Sequence, residues 1–190
     1  MTTYLVTDVD GVFTDGKFTY SRWGKSSKVF GPHDADGIKI LRAGGIKIFA
    51  ITGDRRGFAI SRKRLSDMKI QLFYKSEKDR YDWVKNHFDL SNLIFVGDGA
   101  FDVPLLLKSA LSFAPNTATH PAKDAARMVT SVAGGDGVFL EIAMWMILYF
   151  FSPEELARIK SKLKISEEHF DLLCDTYRNL FLANGALKNV

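Results

Sequence analysis

Short apolar runs that end at a glycine or an aspartate recur along the chain at Tyr4 to Thr7, Lys47 to Ile51, Leu93 to Val96 and Leu111 to Ala114, with a shorter one at Gln71 to Tyr74. Their continuous apolar character predicts strands buried on both faces. Helical patterns fill the gaps at about Gly37 to Ala43, Gly57 to Met68, Lys78 to His87 and Val103 to Lys108. This alternation predicts an α/β fold, a doubly wound, Rossmann-like parallel sheet. Ligands of such sheets gather beyond the carboxyl ends of the strands, which is where Asp8, Asp10, Thr52 and Asp98 fall.

Two segments depart from that rhythm. Lys17 to Phe30 places Phe18, Tyr20, Val29 and Phe30 around a polar Arg22-Trp23-Gly24-Lys25 centre, which predicts a β-hairpin arm with little of its own chain to cover it. After Phe151, Ser152-Pro153-Glu154-Glu155 supplies an N-cap, a proline at the first helical position and a glutamate at the third. A second helix opens at Ser166 and stops near Asn184-Gly185. The expected organisation is a core of residues 1–151 followed by a helical extension over 152–190. Leu156, Ile159 and Leu163, then Phe170, Leu173, Tyr177, Leu180 and Phe181, recur at helical spacing as a packing stripe.

Composition narrows the function classes. The chain has 190 residues, 46% of them apolar, and a net charge of +4 from 26 basic and 22 acidic residues. Its basic residues are dispersed among acids, so a nucleic-acid partner is not expected. The single cysteine, Cys174, excludes an internal disulfide and any multi-cysteine metal site. With no charged-then-apolar signal segment at the start, a cytoplasmic setting is expected. The apolar stretch Val138 to Phe151 carries Glu141 and is shorter than the roughly 20 residues a bilayer span needs. A buried or subunit-facing helix is expected there, and no membrane partner.

The chemistry lies at the strand ends. Asp8 and Asp10, in Asp8-Val9-Asp10-Gly11, stand two residues apart and project from one face of an extended chain. Two anions held that close repel unless a cation or a proton is shared between them, and a divalent metal meets that need. Thr52-Gly53-Asp54 ends a second strand with a hydroxyl and a glycine that let a ligand's oxygens approach the backbone. Gly97-Asp98-Gly99-Ala100-Phe101-Asp102 adds two acids four residues apart, and Lys78 stands at a helix start.

In this order, the four motifs resemble the haloacid dehalogenase superfamily of phosphatases. Asp-Val-Asp-Gly-Val-Phe-Thr-Asp-Gly, the hairpin, His33 to Leu41 and the Gly134-Gly135-Asp136-Gly137 turn resemble its 3-deoxy-D-manno-octulosonate 8-phosphate phosphatase group, which includes phosphatases of related nine-carbon sugar acids. The resemblance implies an aspartyl-phosphate mechanism with Asp8 as nucleophile, Asp10 as acid and base, and Thr52 and Lys78 on the phosphoryl oxygens. It implies Mg²⁺ held by Asp8, the Asp10 carbonyl and Asp98, with Asp102 behind them. It also implies a homotetramer joined through hairpins, and a small phosphorylated sugar or sugar acid as substrate.

Spacing adds that no cap domain fits within the chain. Only 42 positions separate Asp10 from Thr52 and only 26 separate Thr52 from Lys78. The site must therefore be covered by the hairpin, the C-terminal helices or another subunit. Asp54 replaces the arginine usual in the octulosonate enzymes, and Arg62 matches a basic position that nonulosonate-type relatives use for the substrate carboxylate. Gly53, Asp54 and Arg62 are thus the candidate substrate-binding residues. Leu140 stands where the group commonly has arginine, and the helical tail is longer than usual, which suggests a lid or an oligomer contact. A phospho-receiver domain is disfavoured because the Asp pair leads the chain. A scaffold without turnover is disfavoured because the reactive residues are all present.

Overall fold

The computed structural model describes residues 3–183. Strands β1 (Tyr4–Thr7), β4 (Lys47–Thr52), β5 (Gln71–Tyr74), β6 (Leu93–Val96), β7 (Leu111–Ala114) and β8 (Met128–Val129) form one parallel sheet in the order β5-β4-β1-β6-β7-β8. The hairpin strands β2 (Thr19–Ser21) and β3 (Gly24–Ser27) pair antiparallel with each other. Helices α1 (Asp34–Ala43), α2 (Phe58–Asp67), α3 (Arg80–His87), α4 (Val103–Lys108), α5 (His120–Ala125), α6 (Val138–Tyr149), α7 (Pro153–Leu163) and α8 (Glu167–Ala183) complete the described chain. The fold is the expected doubly wound α/β sheet with an antiparallel hairpin.

Successive strand residues point to opposite faces, and the buried residues divide accordingly. Leu5, Ile48, Ala50, Ile94 and Val96 pack with α1, α6 and Leu65 of α2. Val6, Ile51, Leu93 and Phe95 pack with Val84, Leu105, Leu106 and Ala122 on α3, α4 and α5. The chain winds from β1 outward through β4 to β5, then returns to β6 on the other side of β1. The loops after β1 and β6 therefore diverge at the switch point, which opens the crevice at their carboxyl ends.

Val138, Phe139, Ile142, Ala143, Met144, Trp145, Met146 and Ile147 of α6 are buried within the chain itself. No helix among the described residues is long and apolar enough to cross a membrane. Most of the tail stripe closes against this helix: Phe181 stacks on Trp145 with ring centroids 4.6 Å apart, and Ile159 and Phe170 are buried, while Leu180 stays exposed. Ser152 and Glu155 form the expected reciprocal cap, with Ser152 N–H donating to Glu155 Oε2 at 2.8 Å. Arg158 donates from Nε to the Ala43 carbonyl at 3.0 Å. This anchors α7 at the C-terminal end of α1, the amino side of the sheet, so α7 forms no lid over Asp8. The stop near Asn184-Gly185 lies outside the described residues.

Helix α1 starts at Asp34, earlier than the apolar spacing indicates, because Asp34 turns inward and accepts from Phe139 N–H at 3.0 Å. Burial pushes its carboxyl from the ordinary 3.8 to about 6, against the hydrogen bonds from Phe139 and Gly137. The folded chain thus binds the extra proton between those values, and stability from this group falls as pH rises through that window. Asp34→Asn keeps the acceptor and removes the charge. Its stability relative to the native chain is expected to rise by on the order of 1–2 kcal/mol from pH 4 to pH 7. Urea denaturation at both pH values checks this, and an equal offset at the two would reject a buried charge as the cause.

Candidate active site

Asp8 follows β1 directly, and its N–H donates to the Val96 carbonyl at 2.9 Å, tying the ends of β1 and β6 together. The chain then turns through Gly11 at φ +86°, a left-handed conformation that glycine adopts without steric cost. A Cβ on Gly11 would lie 2.0 Å from Asp98 Oδ2, so glycine is what lets Asp98 approach this loop. Gly134 meets the loop from the other side: a Cβ there would stand 1.9 Å from the Gly11 carbonyl oxygen, and Gly135 N–H donates to Val12 O at 2.9 Å.

Asp8, Asp98 and Asp102 each bring a carboxylate oxygen within 4.8 Å of the others. Asp8 is 7% exposed and its Oδ1 is buried without a hydrogen-bond donor. Burial, then the charge of Asp102, holds the Asp8 carboxyl well above the usual carboxylate range against the opposing pull of Arg80. The same two causes raise Asp98 to about 7. A cation among them would reverse both directions. The donor set is all oxygen and Asp8 Oδ1 accepts no hydrogen bond, so the cluster fits a hard divalent metal.

Asp102 is fully buried, and its oxygens are already engaged. Oδ1 takes a short hydrogen bond from Arg80 Nη1, while Oδ2 accepts from Asp98 N–H at 3.2 Å and Gly99 N–H at 3.0 Å. Asp102 therefore shapes the Asp98 turn and holds Arg80, leaving Asp8 and Asp98 as the carboxylates open to a ligand. Across the crevice, Thr52 Oγ1 donates to Asp10 Oδ2 at 3.3 Å and accepts from Asp54 N–H at 3.0 Å. Asp10 Oδ1 lies 2.6 Å from Lys28 Nζ.

Among the described residues, no hydrogen bond or ion pair joins Lys78 to this cluster. Lys78 is exposed, in the turn before α3, because the helix begins two residues later than the charge pattern suggests. The buried cation beside Asp8 is Arg80, whose Nη2 stands 3.6 Å from Asp8 Oδ1. Helical phase held the signal: Arg80 precedes the buried Val84 by four residues and shares its face.

The three candidate substrate-binding residues also separate. Gly53 lies beside Arg80 and Glu77, where a Cβ would come within 3.3 Å and 3.1 Å of their side chains. Asp54 is taken up by the hairpin: Oδ2 pairs with Lys25 at 2.5 Å and Lys28 at 2.8 Å, and Oδ1 accepts from Gly57 N–H at 3.0 Å. Burial pushes its carboxyl up, but these hydrogen bonds outweigh it and bring it down to about 2. A carboxylate so engaged anchors the hairpin. Arg62 is exposed on α2 and makes no bond to the cluster among the described residues. Lys25 and Lys28 gave no signal in the sequence, since Lys25-Ser26-Ser27-Lys28 reads as a solvated strand.

A parallel sheet with a carboxylate pair at its switch point, a hydroxyl opposite and a buried cation has the charge and the donors to hold a phosphoryl group. Residues 84–142 match the haloacid dehalogenase-like hydrolase family. The chain is 34% identical over 145 residues, 74% of its length and 79% of the relative's, to a 3-deoxy-D-manno-octulosonate 8-phosphate phosphatase, KdsC, of Haemophilus influenzae. A cobalt-bound structure of that phosphatase from H. influenzae superposes with a TM-score of 0.70 at 29% identity, covering 88% of this chain and 92% of the other. The corresponding Yersinia pestis structure gives 0.67 at 27% identity, covering 77% and 80%. The chain thus belongs to the haloacid dehalogenase-like phosphatases, in the group of the 3-deoxy-D-manno-octulosonate 8-phosphate phosphatases.

Proposed function

We propose that this phosphatase hydrolyses the phosphomonoester of a sugar acid, of the 3-deoxy-octulosonate 8-phosphate or nonulosonate 9-phosphate type, through an aspartyl-phosphate intermediate and with Mg²⁺. The observation that carries this is the Asp8 carboxylate: a buried oxygen that accepts no hydrogen bond, within 4.8 Å of Asp98 and of an Asp102 already held by protein groups. Similarity to the H. influenzae phosphatase named for the octulosonate phosphate supports the substrate class.

Asp8 attacks phosphorus and is later freed by water, which divides one hard hydrolysis into two easier steps. Asp10, two residues on, protonates the leaving sugar oxygen and then takes a proton from that water. Thr52 and the guanidinium of Arg80 face the phosphoryl oxygens, the place given to Lys78 by the sequence pattern. Asp8, Asp98 and the Asp10 carbonyl would hold Mg²⁺, which when bound neutralises charge on the phosphoryl group. Asp102 keeps Arg80 and the Asp98 turn in place.

The catalytic residues all lie within the proposed core, and the described part of the extension, α7 and α8, packs on α1 and α6. Tyr20 and Trp23 on the hairpin are 58% and 83% exposed, which supports assembly of several copies, a tetramer, through that arm. A monomer in sedimentation at working concentration would reject this.

The test of function is phosphate release from a panel of sugar and sugar-acid phosphates with Mg²⁺ and with chelator. Expected is turnover of eight- or nine-carbon acid phosphates above neutral sugar phosphates, lost on chelation. Equal turnover of neutral sugar phosphates would remove the sugar-acid assignment, and chelator-resistant turnover would remove the metal.

A further inference from the structure

The hairpin does more than project from the molecule: it delivers a buried ammonium to the acid/base carboxylate. Lys28 follows β3, and its side chain is fully enclosed. Its Nζ has three partners: Asp10 Oδ1 at 2.6 Å, Asp54 Oδ2 at 2.8 Å and Ser61 Oγ at 2.9 Å. One proton is donated to the Ser61 hydroxyl, and the two carboxylates pair with the charge. The three partners come from the loop after β1, the loop after β4 and helix α2. Lys25, one turn of the arm away, pairs with Asp54 only and lies 3.3 Å from the centroid of the Phe18 ring.

We propose that Lys28 is a positioning residue: the hairpin uses it to fix the Asp10 carboxylate, so that turnover depends on the hairpin being seated. Asp10 is held at both oxygens, by Lys28 at Oδ1 and by Thr52 at Oδ2. With Lys28 gone, one oxygen is released and the carboxylate can rotate away from the leaving-group direction. Substrate binding through the metal and Arg80 does not involve Lys28. The loss therefore falls on the chemical step. Asp54 and Ser61 act as the seat, and the arm that carries the exposed Tyr20 and Trp23 becomes a lever on the site. Anything that lifts the arm withdraws Lys28 from Asp10. This rests on Asp10 serving as acid and base in the phosphatase reaction proposed above.

The test compares steady-state kinetics of the native chain, Lys28→Met, Lys28→Arg and Lys25→Met on one phosphomonoester, with thermal unfolding of each. Lys28→Met is expected to lower kcat by roughly 10- to 100-fold with KM changed less than about threefold. Lys28→Arg should recover part of kcat, and Lys25→Met, which weakens the Asp54 seat but leaves Lys28 on Asp10, should lose less than Lys28→Met. If Lys28→Met does not fold, Lys28→Gln, which keeps a donor without the charge, is held to the same kcat and KM criteria. An unchanged kcat, a loss confined to KM, or an equal loss in Lys25→Met would overturn the proposal while leaving the phosphatase reading intact. A native chain that released no phosphate would overturn both.

Discussion

Asp8→Asn is expected to lower phosphate release by roughly 10⁴-fold or more while the fold survives. Asparagine has nearly the same shape, yet its amide is no nucleophile toward phosphorus. The stability result runs the other way from the activity result. The Asp8 carboxyl is raised by burial and by Asp102, so its ionised form opposes folding at neutral pH. Removing that charge without metal present should leave the melting temperature equal or higher, a trade of stability for function. Steady-state phosphate release and thermal unfolding of the two chains check both halves. Turnover that persists would reject Asp8 as nucleophile, and a large drop in melting temperature would reject the account of its burial.

Arg80→Met should cost stability as well as activity. Arg80 is 6% exposed and Asp102 is fully buried, so the substitution leaves a carboxylate oxygen inside the protein with no cation. Breaking one side of such a pair costs about 3–5 kcal/mol. Asp8 loses its nearest positive charge in the same step, and kcat should fall with stability. Arg80→Lys retains charge but has one point of contact where the guanidinium fork meets both Asp102 and Asp8. Partial recovery is expected. The exposed Lys78 gives the contrast, since Lys78→Met should stay within about 0.5 kcal/mol of native. Urea denaturation orders the four chains. The assignment fails if Lys78→Met is the more damaging substitution.

Asp8, Asp10, Thr52 and Asp98 were legible in sequence for one reason: each sits where a continuous apolar run stops, and strand ends in a parallel sheet converge. Strands β1, β6 and β7 and helix α4 appear within the residues their patterns indicate. Strand β8, two residues long, and helix α5 gave no pattern, because such short elements complete no period. Lys78 and Arg80 differ by a fraction of a helical turn, which charge spacing cannot resolve. What distinguishes them is the face that Val84 buries, so the register of α3 against the sheet selects the cation.

By itself, the sequence determined the kind of sheet, the acids and hydroxyl at its carboxyl edge, and the capped helices that follow the core. Those features depend on local period and on chemistry carried within a few residues. Tertiary structure alone decided that Arg80 stands beside Asp8, that Asp102 is consumed in holding it, and that Lys25 and Lys28 bind Asp54 and Asp10. Each of those pairs joins residues more than fifteen positions apart, and a charge finds its partner only once the packed sheet has excluded water and fixed the distance between them.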